Sequence, residues 1–259
     1  MSGALDGRHA LITGGAGGIG LATARELIAH GARVTVTGRS AERLERAVTD
    51  LGGTSLAQAR TADVADERAV RSAFEAAAAA FGPITILVNS AGIAESAPFA
   101  KTDAALWERH IAANLTGPFF ACKAVEAGMR HARWGRIVTI ASVAGLRGGA
   151  YITAYCASKH GVIGLTRALA LEFAATGITV NAVCPDYVDT PMTDAAVANI
   201  VAKTGMTADA ARAKLVATNP QGRLLSADEV AHAVVRLCLP GAESTTGQAI
   251  VLTGGEATG

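Results

Sequence analysis

Short apolar runs recur along the 259-residue chain, separated by longer stretches with helical periodicity. HALIT (9–13), RVTVT (33–37), ITILV (84–88), RIVTI (136–140), ITVNAV (178–183) and AIVLT (249–253) are rich in β-branched residues and apolar nearly throughout. Strands covered on both faces read this way, whereas half-exposed strands alternate apolar and polar positions. A weaker strand is predicted near SLAQART (55–61). Helices are predicted at about 18–30, 41–50, 66–81, 103–131, 152–175 and 227–239. The alanine-rich AVRSAFEAAAAAF (69–81) belongs with them, because alanine is the strongest helix former. Alternation of this kind builds a parallel sheet with helices on both faces. The expected fold is a doubly wound α/β domain of about seven strands. No Pro-, Gly- or Ser-rich linker divides the chain, so residues 1–259 are read as one domain.

Composition narrows the partners. Hydrophobic residues make up 50% of the chain, which suits elements buried on both faces. Aromatics are only 4%, and the net charge is +1. There is thus neither a stacking platform for bases nor a field that attracts a polyanion, and no nucleic-acid partner is expected. Cys122, Cys156, Cys184 and Cys238 are far apart, form no C-x-x-C and read as reduced small hydrophobes. The six histidines show no metal-ligand spacing, and no metal is expected. The start MSGALDGRHALITGG lacks a signal peptide's long apolar region, and no apolar run reaches the ~18 residues needed to span a bilayer. A soluble, cytoplasmic protein with no membrane partner is expected.

TGGAGGIG (13–20) lies between the first strand and the first helix and carries five glycines in seven positions. Gly15, Gly17 and Gly20 fit G-x-G-x-x-G, while Gly14, Gly18 and Gly20 fit the wider G-x-x-x-G-x-G. Without side chains, backbone N–H groups at a helix N-terminus can approach a pyrophosphate closely. With a second strand about twenty residues on, the context is that of a Rossmann-type dinucleotide fold. Gly14, Gly17, Gly18, Ile19 and Gly20 are the candidate contacts. At the end of the second strand, where a carboxylate would accept the ribose 2′-OH of NAD, the chain has Gly38-Arg39-Ser40. Arg39 can pair with a 2′-phosphate and Ser40 can add a hydrogen bond, which prefers NADP(H). The alternative is a solvated Arg39, a Ser40 that caps the next helix, and NAD(H) as coenzyme.

YCASKHG (155–161) places Tyr155 and Lys159 one helical turn apart, on the same face. An ammonium beside a phenol favours its ionised form. Lys159 is therefore expected to draw the Tyr155 pKa down toward the range of general acid–base catalysis.

Taken together, these segments resemble the short-chain dehydrogenase/reductase family almost end to end. The carriers are TGGAGGIG (13–20), Asp63-Val64, NSAG (89–92), NLTG (114–117), Ser142 in IASVAG, YCASK (155–159) and NAVCPDYVDTPM (181–192). The resemblance implies that Tyr155 exchanges a proton with the substrate oxygen and that Ser142 orients and polarises that oxygen. It implies that Lys159 tunes Tyr155 and holds the nicotinamide ribose, and that Asn114 holds a water linking Lys159 to solvent. Asp63 and Val64 are implied at the adenine, Asn89 beside the adenosine ribose, and Val188 and Thr190 at the nicotinamide carboxamide. Two positions depart from the family pattern. Ser90 replaces a frequent Asn, and Asp186 replaces a usual Gly, so that its carboxylate touches the substrate pocket or hydrogen-bonds the loop, or else simply faces solvent in the turn.

The segments 91–99 and about 187–225 set substrate choice in the family, and the second is long enough for two short helices forming a mobile lid. Its mainly apolar face with interspersed Lys203, Arg212, Lys214 and Arg223 either suits a partly apolar substrate with an anionic end or is that of an ordinary amphipathic flap. The family pattern lies nearest to 3-oxoacyl-thioester (carrier-protein or CoA) reductases and 3-hydroxybutyrate dehydrogenases. The expected function is NADP(H)-dependent reduction of a 3-oxoacyl thioester. The alternatives are oxidation of hydroxybutyrate or another secondary alcohol, and a silent nucleotide-binding regulator. The complete Asn114–Ser142–Tyr155–Lys159 set argues against silence. The basic cluster MRHARWGR (129–136) either meets an acidic carrier protein or CoA, or complements a helix C-terminus. A homotetramer burying helices 103–131 and 152–175 is implied by the resemblance.

Overall fold

The computed structural model describes residues 3–255; residues 1–2 and 256–259 of the expected 1–259 domain lie outside the described residues. Seven strands form one parallel sheet: β1 (His9–Thr13), β2 (Arg33–Gly38), β3 (Ala57–Thr61), β4 (Ile86–Asn89), β5 (Gly135–Ile140), β6 (Ile178–Pro185) and β7 (Ala249–Leu252). Their order is β3-β2-β1-β4-β5-β6-β7, with Thr13 opposite both Thr37 and Asn89. The order reverses between β1 and β4. In an open α/β sheet, ligands bind beyond the C-terminal strand ends at such a switch point.

Successive strand residues point to opposite faces. Ala10, Ile12, Ile86, Val88 and Val138 enter one core, with Leu27, Leu44, Val230 and Val234 of α1 (Gly18–Ala29), α2 (Ala41–Asp50) and α9 (Ala227–Arg236). Leu11, Leu87 and Ile137 enter the other, against Phe74, Val125, Met129 and Phe173 of α3 (Glu67–Phe81), α5 (Gly117–Ala132) and α6 (Thr153–Phe173). This two-sided burial explains why the strand sequences show no polar alternation.

The predicted helix 103–131 is two helices. α4 (Ala104–Ile111) passes into a π-helical turn at Ala112–Thr116, and α5 follows. Pro118 supplies the physical reason. It has no N–H for the Asn114 carbonyl four residues back, and its ring crowds that carbonyl. The backbone widens instead, and Gly117 N–H bonds the Ala112 carbonyl five residues back. After β6 come α7 (Pro191–Thr204) and α8 (Ala208–Val216). Among the described residues, no helix is long and apolar enough to cross a membrane.

Candidate active site

The glycine turn closes tightly on its neighbours. Gly14 has φ +69°, and a Cβ there would lie 2.8 Å from Ala91 Cα. A Cβ on Gly20 would lie 2.5 Å from the Gly14 carbonyl oxygen. Both positions need glycine on steric grounds alone. The turn has a second property. Side chains of Ser40, Asp66 and Asp103 cap α2, α3 and α4. α1 begins at Gly17 with no side-chain cap and no acidic residue in its first turn, which also holds Gly18 and Ile19. Its leading N–H groups are left for an anion.

Around this turn lie the other sequence-predicted cofactor residues. Thr190 arches over from β6, its methyl 3.3 Å from where a Gly18 Cβ would stand. Val188 is buried and bridges to Leu225. Arg39 is exposed at the end of β2, and Ser40 accepts a hydrogen bond from the Arg43 N–H. Asp63 accepts from the Ala65 N–H at 3.0 Å, and Val64 packs against Gly117. Asn89 donates to Thr139 Oγ1 at 3.2 Å, while its buried Oδ1 has no partner. The uncapped helix, the close-packed glycines and this orphaned acceptor fit a dinucleotide. Sequence reading missed Arg43, whose guanidinium lies 3.3 Å from a Cβ placed on Gly17. It stands one helical turn beyond Arg39, a spacing that could have flagged it.

The catalytic candidates converge at the ends of β5 and α6. Ser142 follows β5 and caps a single 3₁₀ turn, accepting from the Ala144 N–H at 3.1 Å. Ser142 is hydrogen-bonded to Tyr155, and Lys159 Nζ lies 5.6 Å from the Tyr155 ring centroid. Lys159 donates to the Ile140 carbonyl at 2.8 Å. Asn114 is buried, and both ends of its amide are engaged. Its Oδ1 accepts from Ile93 N–H at 2.9 Å, and its Nδ2 donates to the Ile93 carbonyl and to Ser158 Oγ, both at 3.0 Å. Ser158 in turn donates to the Tyr155 carbonyl at 2.8 Å. His110, fully buried, was also missed. Its ring meets Tyr155 edge-on at 6.3 Å, with Nδ1 donating to Leu106 O and Nε2 accepting from Glu95 N–H. Those bonds fix the ring's orientation, with a hydrogen on Nδ1.

The electrostatics correct one expectation. Burial pushes the Tyr155 phenol up to about 12; the hydrogen bond with Ser142 opposes this, and the neighbouring acids Tyr187, Cys156 and Cys184 add to it. Burial likewise pulls the Lys159 ammonium down to about 8. Desolvation penalises the charged form of both groups, and it outweighs the mutual attraction inferred from helical spacing.

Asp186 is hydrogen-bonded to the loop: its Oδ2 accepts from Thr218 Oγ1, beyond α8, at 2.9 Å. On the other side, Asn199 and Lys203 of α7 donate to Ser96 Oγ and O at 2.8 and 2.7 Å. The helical cover is thus tied to β6 and to the loop after β4. Truncating either Asp186 (to Ala) or Thr218 (to Val) is expected to lower kcat/KM about fivefold, the weight of one hydrogen bond. The double variant is expected to do no further harm, and a double-mutant kinetic cycle checks this. Two independent, additive losses would show that the pair does not act as one.

A strand–glycine turn–helix at the switch point, with Ser, Tyr and Lys converging beside it, defines a dinucleotide-dependent oxidoreductase. The short chain dehydrogenase profile matches residues 8–200, and the chain belongs to that family. It is 40% identical to a putative ketoacyl reductase of the granaticin polyketide synthase from Streptomyces violaceoruber, over 95% of this chain and 92% of that protein. It is 35% identical to D-beta-hydroxybutyrate dehydrogenase from Cupriavidus necator, over 97% and 98%. A tryptophan variant of actinorhodin polyketide ketoreductase, solved with NADPH, superposes with a TM-score of 0.93 at 39% identity, covering 98% of each chain. Like its family, the chain interconverts a ketone and a secondary alcohol.

Proposed function

We propose that this protein uses NADPH to reduce a 3-oxoacyl thioester to the 3-hydroxy compound. The observation that carries the reading is the Ser142–Tyr155–Lys159 cluster, set at the strand ends beside an uncapped, glycine-lined helix N-terminus. Resemblance to polyketide ketoacyl reductases supports the substrate class. Resemblance to a hydroxybutyrate dehydrogenase supports a second reading, in which a hydroxy acid or related alcohol is oxidised.

The bound cofactor supplies the hydride. Tyr155, neutral at physiological pH with its phenol raised to about 12, gives its proton to the carbonyl oxygen. Ser142, hydrogen-bonded to that phenol, orients the same oxygen and stabilises the charge developing on it. Lys159 holds the nicotinamide ribose hydroxyls and restores the proton to Tyr155. With both Nδ2 hydrogens of Asn114 donated and its Oδ1 accepting from Ile93, its main-chain carbonyl, to which Pro118 offers no N–H four residues on, is the group that holds the relay water. Glycines 14, 17, 18 and 20 and Ile19 receive the pyrophosphate. Asp63, Val64 and Asn89 receive the adenosine, and Val188 and Thr190 the carboxamide. Arg39 and Arg43 take the 2′-phosphate. The segment 187–225 opens and closes over the substrate.

The protein works in the cytoplasm as a homotetramer formed through α4, α5 and α6. Phe119 of α5 and Leu171 of α6, the latter 81% exposed, support that assembly.

The test follows NADPH and NADH absorbance with acetoacetyl-CoA and a panel of simple ketones. NADPH with acetoacetyl-CoA is expected to give the highest kcat/KM. Replacing both Arg39 and Arg43 with Ala is expected to raise KM for NADPH by roughly tenfold or more, two charged contacts being lost, with little change for NADH. Turnover of simple ketones but not the thioester would remove the substrate assignment. Equal effects on both coenzymes would remove the role of the arginines.

A further inference from the structure

The basic cluster MRHARWGR (129–136) is not a free face: Arg130 pairs with Glu126 and Glu172, and Arg136 is buried. The polar side chain that the reaction leaves unused lies closer to Tyr155. His110 of α4 is fully buried and stands outside the proton path of Ser142, Tyr155 and Lys159. We propose that His110 is a positioning residue, which holds the loop after β4 and the Tyr155 ring in one fixed relation. The proposal rests on the family's ketone–alcohol chemistry alone and not on the thioester as substrate.

The loop runs beside the reacting groups. A Cβ on Gly92 would lie 3.8 Å from Lys159 Nζ and 2.9 Å from Asn114 Oδ1. Asn114 holds Ile93 through both its N–H and its carbonyl. Further on, the Ala97 N–H donates to the carbonyl of Tyr151, just ahead of Tyr155, at 2.8 Å. Between these two anchors the Glu95 N–H donates to His110 Nε2 at 3.1 Å. Glu95 has one further hold, its ion pair with Arg109 at 3.1 Å. Both partners of that pair are half-exposed, and such pairs contribute little. The buried imidazole is therefore the firmer grip on the middle of the loop.

The orientation of the imidazole is set within α4. Nδ1 donates to the Leu106 carbonyl, one turn back, at 2.9 Å. With the hydrogen there, Nε2 is left as an acceptor aimed at the loop. The ring also meets Tyr155 edge-on, with centroids 6.3 Å apart and planes at 79°, an arrangement aromatic rings prefer. A leucine would fill this space at a lower desolvation cost than a polar ring. What leucine lacks is the pair of contacts, one to the loop that borders the substrate and one to the proton donor. The first bears on how well the ketone is held, and the second on how well the phenol is aimed at it.

Two variants separate these contacts. His110→Phe keeps a ring against Tyr155 and removes the acceptor, so KM for the ketone is expected to rise about fivefold through one lost hydrogen bond, with kcat nearly unchanged. His110→Gln restores an acceptor at the reach of Nε2 but no ring, so KM is expected to return to the native value while kcat falls about threefold. NADPH affinity should hold in both, because the glycine turn is untouched. Rates are measured with whichever ketone of the panel above turns over fastest, so that failure of the thioester assignment leaves this test standing. The native protein supplies a second readout. Ala94 and Glu95 are both exposed, and only the Glu95 amide is bonded to His110. Hydrogen exchange is expected to show Glu95 protected about fivefold more than Ala94, and this comparison decides the matter if the variants do not fold. Equal protection of the two amides, a KM unmoved by His110→Phe, or a KM raised as far by His110→Gln as by His110→Phe would overturn the proposal.

Discussion

Replacing Tyr155 with Phe is expected to slow reduction and oxidation alike by about 10²- to 10⁴-fold, the usual weight of a positioned general acid–base. The half-buried ring meets His110 edge-on, and Phe preserves that contact. Only the phenol oxygen is removed, together with its hydrogen bond to Ser142. The fold should therefore survive, and NADPH affinity, resting on the glycine turn and Lys159, should change little. Steady-state rates in both directions, with NADPH binding followed by fluorescence, separate the two effects. A second signature concerns pH. With the phenol raised to about 12, the acid form persists through neutral pH and serves reduction. Oxidation needs the ionised form, so its rate should climb with pH across the alkaline range in the native protein and lose that climb in the Phe variant. Undiminished turnover would show that another group handles the proton.

Much of this was readable in the chain, and the exceptions share a cause. The strands were legible because their two-sided burial leaves an apolar run in local sequence, as in Ile86 to Val88. The glycine turn was legible because its steric demand is local: Gly14 and Gly20 each face backbone. Tyr155 and Lys159 were paired by helical spacing. What spacing could not supply was the dielectric around the pair. Their burial depends on His110, Tyr187, Cys184 and the end of β5, all distant in sequence, and burial reversed the expected direction of the Tyr155 shift. The π turn had a local signal, Pro118, but helical periodicity on either side masked it. Arg43 escaped notice because its meaning comes from Gly17, across the first βαβ unit. Asp186 was visible as a departure from pattern, yet only the tertiary structure identified Thr218 as a partner.

Replacing Lys159 with Met is expected to reduce turnover by at least about 10²-fold while raising stability at neutral pH. Lys159 is 6% exposed, and its only hydrogen bond among those described goes to the Ile140 carbonyl. Its pKa falls from 10.5 to about 8 on folding, chiefly by burial. Between those values the unfolded chain holds a proton that the folded chain has released, so the free energy of unfolding rises with pH across that window. Below pH 8 the full burden remains, because the folded protein must then keep a buried ammonium. A shift of this size corresponds to roughly 3 kcal/mol. Met, unbranched and apolar, fills the same space without that burden. Urea unfolding at pH 7 should therefore show the Met variant ahead of the native chain. The gap should narrow as the pH approaches 10, because the native chain sheds that burden once Lys159 has lost its proton. A gap that does not change with pH would mean that Lys159 is not a desolvated ammonium, and that its place in the proton relay needs another explanation.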